Sequence, residues 1–340
     1  MQLGLDATAV SPAGKGISRV QRSLAETLAR RGAVELVALV RPGVELAAPT
    51  ETVRARPAVL WEQVGLARAG RRFDVVLTPT ERLPLVPGGR FVVWLFETPE
   101  RRMAQTRGAY RHGSDLVTRA LWRRSLRRAA AVATGSDATA RELEAAVPEL
   151  RGRVRTIYPG RDERFGPGPG AEGARYVFHL GSDDPRDNTE TVVRAVALAR
   201  ARLREPVRLV VGGNLGRTLD GAELTGRVSD DELVRLYRGA AAYVDASLFE
   251  GFGYQALEAM ACGTPFVGSN ATSIPEVVGD AGLLCDPHDA AALAAALVRV
   301  LEEPGRAEEL RRRGLERAAE FTWDRTAEAF ERLLAEVAAR

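Results

Sequence analysis

The stretch Glu250-Gly251-Phe252-Gly253-Tyr254, followed by Glu258, decides the fold. The residues before it, 240–247, form a short apolar run typical of a buried strand, and residues 255–261 have the pattern of a helix start. A strand, a glycine turn and a helix in this order present free N–H groups to an anion. A carboxylate on the turn can accept hydrogen bonds from sugar hydroxyls, and one on the helix can reach a ribose. The pattern therefore predicts a site for a sugar joined to a nucleotide through phosphates.

Two further segments continue this pattern, Glu258-Ala259-Met260-Ala261-Cys262-Gly263-Thr264-Pro265 and Ser273-Ile274-Pro275-Glu276-Val277-Val278-Gly279. Together these segments resemble the E-x7-E region of retaining glycosyltransferases of the GT-B fold, family 4 type. The resemblance covers nearly the whole chain. It implies an α/β protein with two Rossmann-like, doubly wound parallel-sheet domains that face a central cleft.

The resemblance also implies roles for the residues of this turn. Glu250 is then a catalytic group that holds hydroxyls of the donor sugar, and Glu258 holds the ribose. Amides at the start of the helix stabilise the leaving phosphate. Four more donor-binding residues follow from the resemblance: Gly251, Phe252, Gly253 and Tyr254.

Length and composition limit the class of protein. The chain has 340 residues, of which 45% are hydrophobic, enough for two domains with sizeable cores. No run of 18 apolar residues occurs, and the N-terminus lacks the basic region of a signal peptide, so we expect a cytoplasmic protein. Cys262 and Cys285 lie in or beside apolar segments and are expected to be reduced core residues.

Charge is unevenly distributed along the chain. Residues 1–165 hold 28 Lys+Arg and 17 Asp+Glu, whereas residues 166–340 hold 20 and 28, so the basic excess lies in the first half. This asymmetry predicts that the first half meets something anionic. No nucleic-acid partner is expected, because the basic residues are not interleaved with aromatic ones as in single-strand binders.

The most basic segment runs from Arg101 to Arg128, with nine arginines, a single acid and Trp122 among them. Three interpretations stay open: peripheral contact with an anionic membrane at the inner face of the plasma membrane, an anionic acceptor such as a lipid-linked phosphate, or a solvated surface. The candidate residues for acceptor or membrane contact are Arg19, His112, Arg119, Arg123 and Arg127.

Short apolar runs alternate with helical patterns in both halves, which predicts parallel strands with crossover helices. Strands are expected at residues 3–9, 34–40, 75–77, 91–95, 130–133, 154–157, 176–180, 208–211, 241–245 and 265–267. Gly166-Pro167-Gly168-Pro169-Gly170 suits neither element and is interpreted as a linker.

We therefore expect an N-terminal Rossmann-like acceptor domain at residues 1–165, a linker at 166–172 and a C-terminal nucleotide-sugar donor domain at 173–322. In the family that the chain resembles, the last helix crosses back onto the first domain. This implies the same for residues 323–340, with Trp323 and Phe330 as anchors.

The loop at residues 11–17 follows the first strand and opens the first helix. Glycines there let backbone amides approach a phosphate closely, although an ordinary strand-to-helix turn uses glycine too. The family has a similar loop that faces the donor diphosphate. The resemblance therefore makes Gly14, Lys15 and Gly16 donor-binding candidates.

The segment Gly181-Ser182-Asp183-Asp184-Pro185-Arg186-Asp187-Asn188 resembles a family segment whose lysine neutralises the donor phosphates. The resemblance makes Ser182 and Arg186 donor-binding candidates, but Asp187 stands at the position of the lysine. An aspartate there adds like charge beside a diphosphate. We hypothesise that Arg186, or Lys15, supplies the missing cation.

Two more segments carry candidate site residues. Ser229 is expected to cap a helix, and in the family the loop before it lies against the nucleobase, which makes Arg227 and Val228 donor-binding candidates. Capping alone requires no ligand. Glu97 follows a strand where many family members carry His-Asp, and we take it as a second catalytic candidate that contacts the acceptor.

No Asp-x-Asp occurs in the chain, which favours a diphosphate site without a metal, so neither a metal nor a cofactor is expected. We expect a retaining glycosyltransferase that moves a hexose, by family fit mannose, from a GDP- or UDP-linked donor. The acceptor is a hydroxyl of a glycan, a lipid-linked or a small molecule in bacterial cell-surface polysaccharide synthesis. Two alternatives stay open: a GT-B epimerase or phosphorylase, and a non-catalytic nucleotide-sugar-binding protein.

Overall fold

The structure is a computed structural model that describes residues 1–11, 14, 16–54, 56–86, 88–99, 113–171 and 175–339, with the backbone alone for residues 113–120. The contacts within it divide the chain into two compact units. The first unit comprises Met1–Gly160 with Thr322–Arg340, and the second comprises Arg161–Phe321.

The first unit contains a seven-stranded parallel sheet in the order β3-β2-β1-β4-β5-β6-β7. Its strands are β1 Gln2–Asp6, β2 Glu35–Val40, β3 Thr50–Thr52, β4 Val75–Thr78, β5 Phe91–Leu95, β6 Ala131–Thr134 and β7 Val154–Thr156. Its helices are Ile17–Arg31, Ala58–Leu60, Leu66–Arg72, Gly113–Arg128, Asp137–Ala146 and Trp323–Ala338, with a π-helical turn at Trp61–Gly65 and a 3-10 turn at Pro148–Leu150.

The strands at the centre of this sheet are buried along their whole length. Every residue of Val75–Thr78 and Phe91–Leu95 is buried, as expected where helices cover both faces of a parallel sheet. Trp122 and Leu126 of the helix Gly113–Arg128 pack into the same core.

The last helix, Trp323–Ala338, belongs to the first unit. Phe330 is fully buried, and its ring packs edge-on against Trp94 with the centroids 4.9 Å apart. Three ion pairs join the helix to Ile17–Arg31. Arg30 contacts Asp324 at 2.9 Å, and Arg31 contacts Asp324 at 3.5 Å and Glu331 at 2.7 Å. Phe330 is thus the buried anchor of this helix.

The second unit contains a six-stranded parallel sheet in the order β10-β9-β8-β11-β12-β13. Its strands are β8 Tyr176–Leu180, β9 Arg208–Gly212, β10 Glu223–Gly226, β11 Ala242–Asp245, β12 Phe266–Ser269 and β13 Gly282–Cys285. Its helices are Thr189–Arg200, Asp230–Gly239, Tyr254–Ala261, Ile274–Val278, Ala290–Glu302 and Arg306–Ala318, with a 3-10 turn at Pro185–Asp187.

The boundary between the units differs from the expected one. The structure divides the chain after Gly160 rather than after residue 165. Residues 161–165 belong to the second unit because the N–H of Arg161 donates to Phe321 O at 3.0 Å and the buried ring of Phe165 packs against Tyr237.

The Gly-Pro stretch interpreted as a linker also packs on the second unit. Arg238 donates from Nε to the carbonyl oxygen of Gly166 at 2.6 Å, and the N–H of Ala171 donates to Arg235 O at 2.9 Å. The glycines allow this close approach, because a Cβ on Gly170 would lie 2.5 Å from the backbone of Gly239. The chain passes between the units at Gly160–Arg161 and Phe321–Thr322 instead.

The predicted fold class, two doubly wound parallel sheets, is confirmed. The sequence patterns missed the strands β3, β10 and β13. β10 lies at a sheet edge and is exposed at every residue, so it has no apolar run that would reveal it. Within the part of the chain that is described, no helix combines the length and the apolar character needed to cross a membrane.

Candidate functional site

Most of the candidate donor residues lie where the strand order of the second sheet reverses, between β8 and β11. In open α/β sheets, ligands bind outside the carboxyl ends of the strands at such a switch point. Ser182, Arg186 and Asp187 lie in the segment after β8, and Glu250 lies in the loop after β11. The fold thus brings two distant segments of the sequence to one edge.

The loop that carries Glu250 is fixed by the segment before the helix Ile274–Val278. The N–H of Glu250 donates to Thr272 Oγ1 at 3.0 Å, and the hydroxyl of Ser273 donates to Glu250 O at 2.8 Å. Gly253 has a φ of 97°, and a Cβ there would lie 2.9 Å from Ile274 Cδ1. Glycine is therefore required at the residue that starts the helix Tyr254–Ala261.

The electrostatic environment of Glu250 favours its protonated form. Burial, followed by the nearby carboxylates of Asp245 and Asp187, raises the pKa of the half-buried Glu250 to about 8, whereas Arg186 and the Ser247 hydrogen bond oppose the increase. At neutral pH this carboxyl therefore mostly keeps its proton. It can donate a hydrogen bond to a sugar oxygen, but it is poorly suited to accept a proton as a general base.

Asp187, at the position of the family lysine, is held by its neighbour Ser182. The Ser182 hydroxyl donates to Asp187 Oδ2 at 2.6 Å. Burial raises the pKa of Asp187, although the hydrogen bond from Ser182 opposes this. Burial thus disfavours the charged form of Asp187, whereas the hydrogen bond from Ser182 favours it.

Of the two cations proposed to replace the family lysine, the structure describes Arg186 but not Lys15. Arg186 donates from Nε and Nη2 to Asp184, with the shortest distance 2.7 Å, so its charge is already paired. It still lies close enough to Glu250 to lower the pKa of that carboxyl. Lys15 lies outside the described residues.

Two buried residues support this site and were missed by the sequence patterns. His179 Nδ1 lies 3.0 Å from Val244 O and Nε2 lies 3.1 Å from Thr189 Oγ1. Because a carbonyl oxygen can only accept, we assign the ring proton to Nδ1, and Nε2 then accepts from the threonine. Burial lowers the pKa of His179, so the ring is neutral at pH 7. Asp245 lies at the end of β11, where its Oδ1 accepts a hydrogen bond from Ser247 N at 2.6 Å. Its position at the carboxyl end of a strand could have identified it as a site residue from the sequence.

Glu258 lies on the helix that follows the glycine turn and is almost completely buried. Its Oε2 is 3.5 Å from the hydroxyl of Tyr237, whose pKa is raised well above its usual range by burial. Phe252, expected as a donor-binding residue, is also buried, with ring contacts to Tyr254 at 5.0 Å and Phe321 at 5.7 Å. The structure therefore gives Phe252 a packing role in the core.

In the loop that the family resemblance places against the nucleobase, one candidate side chain is buried and the other is exposed. Val228 is buried and Arg227 is exposed, so only the arginine side chain reaches solvent. The predicted helix cap is confirmed, because Ser229 Oγ accepts from the N–H of Glu232 at 3.2 Å. Gly251 is half-buried in the turn beside Glu250.

In the loop before the first helix of the first unit, the local structure requires glycine at two positions. A Cβ on Gly14 would lie 2.0 Å from Ser18 Oγ, which accepts from the N–H of Ser11 at 3.0 Å. Gly16 has a φ of 57° at the start of the helix Ile17–Arg31. Arg19 is half-buried on that helix, and Glu97 is half-buried in the segment after β5.

The arginine-rich helix Gly113–Arg128 uses its apolar face inside the protein. Trp122 and Leu126 are buried in the core of the first unit, whereas Arg123 and Arg127 are exposed. Arg127 pairs with Glu149 at 3.1 Å. The exposed face of this part of the helix is therefore charged, without an apolar surface for a bilayer. His112 and the side chain of Arg119 lie outside the described part of the chain.

A second polar cluster, which the sequence patterns missed, lies at the switch point of the first sheet between β1 and β4. Asp6 is buried at the end of β1 and accepts from Thr78 Oγ1 at 2.8 Å, and burial raises its pKa. Glu62 forms a buried ion pair with Arg82, and burial raises the pKa of Glu62 to about 7 although Arg82 opposes this. The position of Asp6 at the carboxyl end of a strand could have identified it as a site residue from the sequence.

Among the buried polar atoms near this cluster that lack a hydrogen-bond partner in the described chain are Gln21 Oε1 and Trp94 Nε1. Gln21 and Trp94 line one small pocket together with Thr78. One orphan atom needs a donor and the other an acceptor, and a hydroxyl group or a water supplies both. Within the described ranges, no group of three or more His, Cys, Asp or Glu side chains is placed to hold a metal ion.

Both halves of the chain match family models of glycosyltransferases. "Glycosyltransferase Family 4" matches residues 14–165, and "Glycosyl transferases group 1" matches residues 174–303. Together the two matches cover most of the chain and fall on both of its sheets.

Similar proteins point in the same direction. The chain is 37% identical over 162 residues to the O-antigen chain mannosyltransferase B of Escherichia coli, which covers 44% of this chain and 42% of that protein. It is 34% identical over 208 residues to a D-inositol 3-phosphate glycosyltransferase of Acidothermus cellulolyticus, covering 52% of this chain and 46% of that protein. The matched stretch thus spans less than half the length of either relative.

Among solved structures, the sucrose-phosphate synthase from Thermosynechococcus elongatus is similar with a TM-score of 0.76 at 22% identity. The alignment covers 99% of both chains. At this identity the likeness establishes the fold, two doubly wound sheets, and leaves the chemistry to the site residues.

Proposed function

The chain belongs to the glycosyltransferases of family 4 and group 1, and we propose that it transfers a hexose from a nucleotide-diphosphate sugar to an acceptor hydroxyl with retention at the anomeric carbon. The observation that carries the proposal is the placement of Glu250. Its carboxyl lies at the β8/β11 switch point, in the loop immediately before a helix N-terminus. That N-terminus suits a phosphate, and the carboxyl suits sugar hydroxyls.

The proposed chemistry exchanges one bond at the anomeric carbon for another and moves one proton. The bond from the anomeric carbon to the phosphate oxygen breaks, and the electron pair stays on the leaving diphosphate. The acceptor oxygen bonds to the anomeric carbon on the same face, and its proton passes to the leaving phosphate oxygen. The helix start at Gly253 and Tyr254 stabilises the developing negative charge.

Glu250 serves as a positioning group in this scheme. Its raised pKa of about 8 keeps the carboxyl protonated at pH 7, and the negative charge of a bound diphosphate favours that form further. A protonated carboxyl can hold donor-sugar hydroxyls but cannot accept a proton from the acceptor. Glu258 contacts the ribose in this proposal, as the family resemblance implies.

We further propose that the donor sugar is mannose and that the acceptor belongs to a bacterial cell-surface glycan. One relative carries the name O-antigen chain mannosyltransferase B, which supports mannose as the hexose and a bacterial cell-surface glycan as the acceptor. Transfer without a metal is part of the proposal, because the sequence contains no Asp-x-Asp. We place the reaction at the inner face of the plasma membrane, where lipid-linked acceptors are assembled.

The first experiment measures thermal stability with UDP, GDP, ADP and dTDP, each with and without a chelator. A nucleotide at 100 times its dissociation constant adds about 2.7 kcal/mol of stability. A shift with one nucleotide, unchanged by the chelator, supports a metal-independent transferase and identifies the base. A shift that the chelator removes refutes metal independence.

An absence of any shift has a specific second explanation, that the donor site has decayed at Asp187. The variant Asp187→Lys restores the cation of the family pattern and separates the two outcomes. If this variant binds a nucleotide and the wild type does not, the wild-type chain is a protein with a lost phosphate clamp. If the variant also fails to bind, and inorganic phosphate stabilises the protein, the phosphorylase alternative replaces the proposal.

Two glutamate variants test the assigned roles. Glu258→Ala should weaken nucleotide binding, because the ribose loses its partner. Glu250→Gln should lower turnover with little change in nucleotide affinity, because its partner is the sugar. The opposite pattern, measured by nucleotide titration and initial rates, would refute the role assignment.

A further inference from the structure

Five large aliphatic side chains of the first unit are exposed in two neighbouring segments. They are Val59 (44% exposed), Leu60 (54%), Val64 (38%), Leu85 (52%) and Val86 (61%), and we call them the apolar ridge. The other large hydrophobic residues exposed in the described chain, Met1, Ile17, Leu198 and Leu224, stand singly in the sequence. Single exposed apolar residues are ordinary, whereas a group in one place indicates an interaction surface.

Hydrogen bonds hold the two segments of the apolar ridge side by side. Gln63 Oε1 accepts from the N–H of Leu85 at 2.9 Å, and Gln63 Nε2 donates to Leu83 O at 3.5 Å. Leu60 and Val64 lie one helical turn apart and therefore share a face of their helical segment. The ridge is thus one continuous feature of the first unit.

Arginines accompany the apolar ridge in the same helical segment. Residues 54–72 contain a single acid, Glu62, which is buried and paired with Arg82. The exposed charged side chains of that range are all arginines, Arg54, Arg56, Arg68, Arg71 and Arg72, of which Arg72 forms an ion pair with Glu51. The surface of this segment is therefore apolar and basic at once.

The arginine-rich helix adds charge from the other side. Arg128 donates from Nη1 to the carbonyl oxygen of Leu85 at 3.1 Å, which brings the end of the helix Gly113–Arg128 against the ridge. Arg124 is exposed on the same helix, and so is Arg127, although Arg127 pairs with Glu149. The charge that the sequence placed on this helix thus lies beside an apolar surface contributed by other segments.

We infer that the apolar ridge inserts into an anionic lipid bilayer. An anionic bilayer supplies acyl chains for the aliphatic side chains and negative headgroups for the arginines around them. The ridge lacks the Trp and Tyr residues that dominate protein–protein hot spots. A second copy of this chain is a poor occupant, because a symmetric contact would bring the arginines of both copies together.

This inference deepens the proposed function, since a bilayer-bound transferase meets a lipid-linked acceptor in the membrane plane. Its test requires neither donor nor acceptor. A failure to bind vesicles therefore leaves the nucleotide-binding experiment untouched, and the two proposals can fail separately.

The experiment is vesicle flotation of the full chain. The protein is mixed with phosphatidylcholine vesicles, with or without phosphatidylglycerol, at low and high salt. The test variant is Leu60→Ser/Leu85→Ser, and the matched control is Leu198→Ser/Leu224→Ser, which removes two leucines of the second unit with exposures of 47% and 37%. The single variant Val86→Asp adds a negative charge at the most exposed ridge position.

We expect the wild type and the control to float with the anionic vesicles and to be released by salt. The ridge variant should lose about tenfold in partitioning, because two half-exposed leucines no longer enter the acyl region. Val86→Asp should weaken partitioning as well. The far-ultraviolet circular dichroism spectrum and the midpoint of urea unfolding should be the same in all variants, which shows that they are folded.

Three results would overturn the inference. The wild type could remain unbound at low salt, or the ridge and control variants could float equally well. The third is a wild-type dimer in solution that the ridge variant dissociates, which would make the ridge an interface between copies of the chain.

Discussion

Replacing Glu250 by glutamine should stabilise the second unit at neutral pH, and the gain should depend on pH. The pKa of Glu250 is raised to about 8 in the folded protein, chiefly by burial and then by Asp245 and Asp187, from a usual value of 4.5. Between these two pH values the folded protein binds more protons than the unfolded chain. The free energy of unfolding of the wild type therefore falls as the pH rises through this window and levels off above about pH 8.

The size of the effect follows from linkage. One fully shifted group changes the free energy of unfolding by about 1.4 kcal/mol per pH unit. With pKa values of about 8 in the folded protein and 4.5 in the unfolded chain, nearly the full slope applies between about pH 5 and about pH 7. The glutamine variant does not titrate, so its advantage over the wild type should grow by about 2.5 kcal/mol over this range.

The assay must separate the unfolding of the second unit from that of the first. All four tryptophans of the chain, Trp61, Trp94, Trp122 and Trp323, lie in the first unit. Urea unfolding followed by tryptophan fluorescence therefore reports the first unit, and far-ultraviolet circular dichroism reports both. The exposed Glu308 of the second unit supplies the control variant Glu308→Gln.

The expected result is a dichroism transition that shifts to higher urea in Glu250→Gln, more at pH 7 than at pH 5, with the fluorescence transition unchanged. A difference between variant and wild type that stays constant over this range would refute the raised pKa. A difference that shrinks as the pH rises would show that the folded site favours the ionised carboxylate, as it would if a cation stood beside Glu250.

Three further predictions concern single residues. Phe330→Ala should destabilise the first unit by about 4 kcal/mol, because it empties the space of a fully buried ring against Trp94. The melting temperature measured by tryptophan fluorescence should fall by about 10 °C. Phe330→Leu should cost less than half as much stability. Arg82→Met should destabilise the first unit by about 3 kcal/mol above pH 7, and urea titrations should show the loss shrinking at lower pH as the unpaired Glu62 takes up its proton. Gly253→Ala should lower the free energy of unfolding by about 1–2 kcal/mol, because the φ of 97° suits glycine. The variant should also show a smaller thermal shift with nucleotide. An unchanged thermal shift would show that the helix start does not bind phosphate.

Several elements were predictable because their signals are local. The strand 176–180 was found with its observed bounds, and the helix after the glycine turn was found to within one residue, since apolar periodicity and glycine positions are properties of the sequence itself. Edge strands such as β10 lack a buried face, and their pattern is indistinguishable from that of a loop.

The interpretation of 166–170 shows the limit of composition. Glycine and proline exclude a helix or a strand, and a linker and a closely packed segment have the same composition. The contacts that separate these possibilities come from Arg235 and Arg238, far along the chain. Similarly, the arginines of the helix Gly113–Arg128 were visible in the sequence, but the burial of Trp122 was not.

The sequence alone determined that this chain contains two doubly wound halves and a glutamate on a glycine turn suited to a nucleotide sugar. Only the tertiary structure decided that Glu250 keeps its proton, that Ser182 holds Asp187, and that Asp6 and the Glu62–Arg82 pair lie at the first switch point. The physical reason is that motifs depend on neighbours along the chain. Protonation and exposure depend on burial and charges that the fold brings together from distant segments.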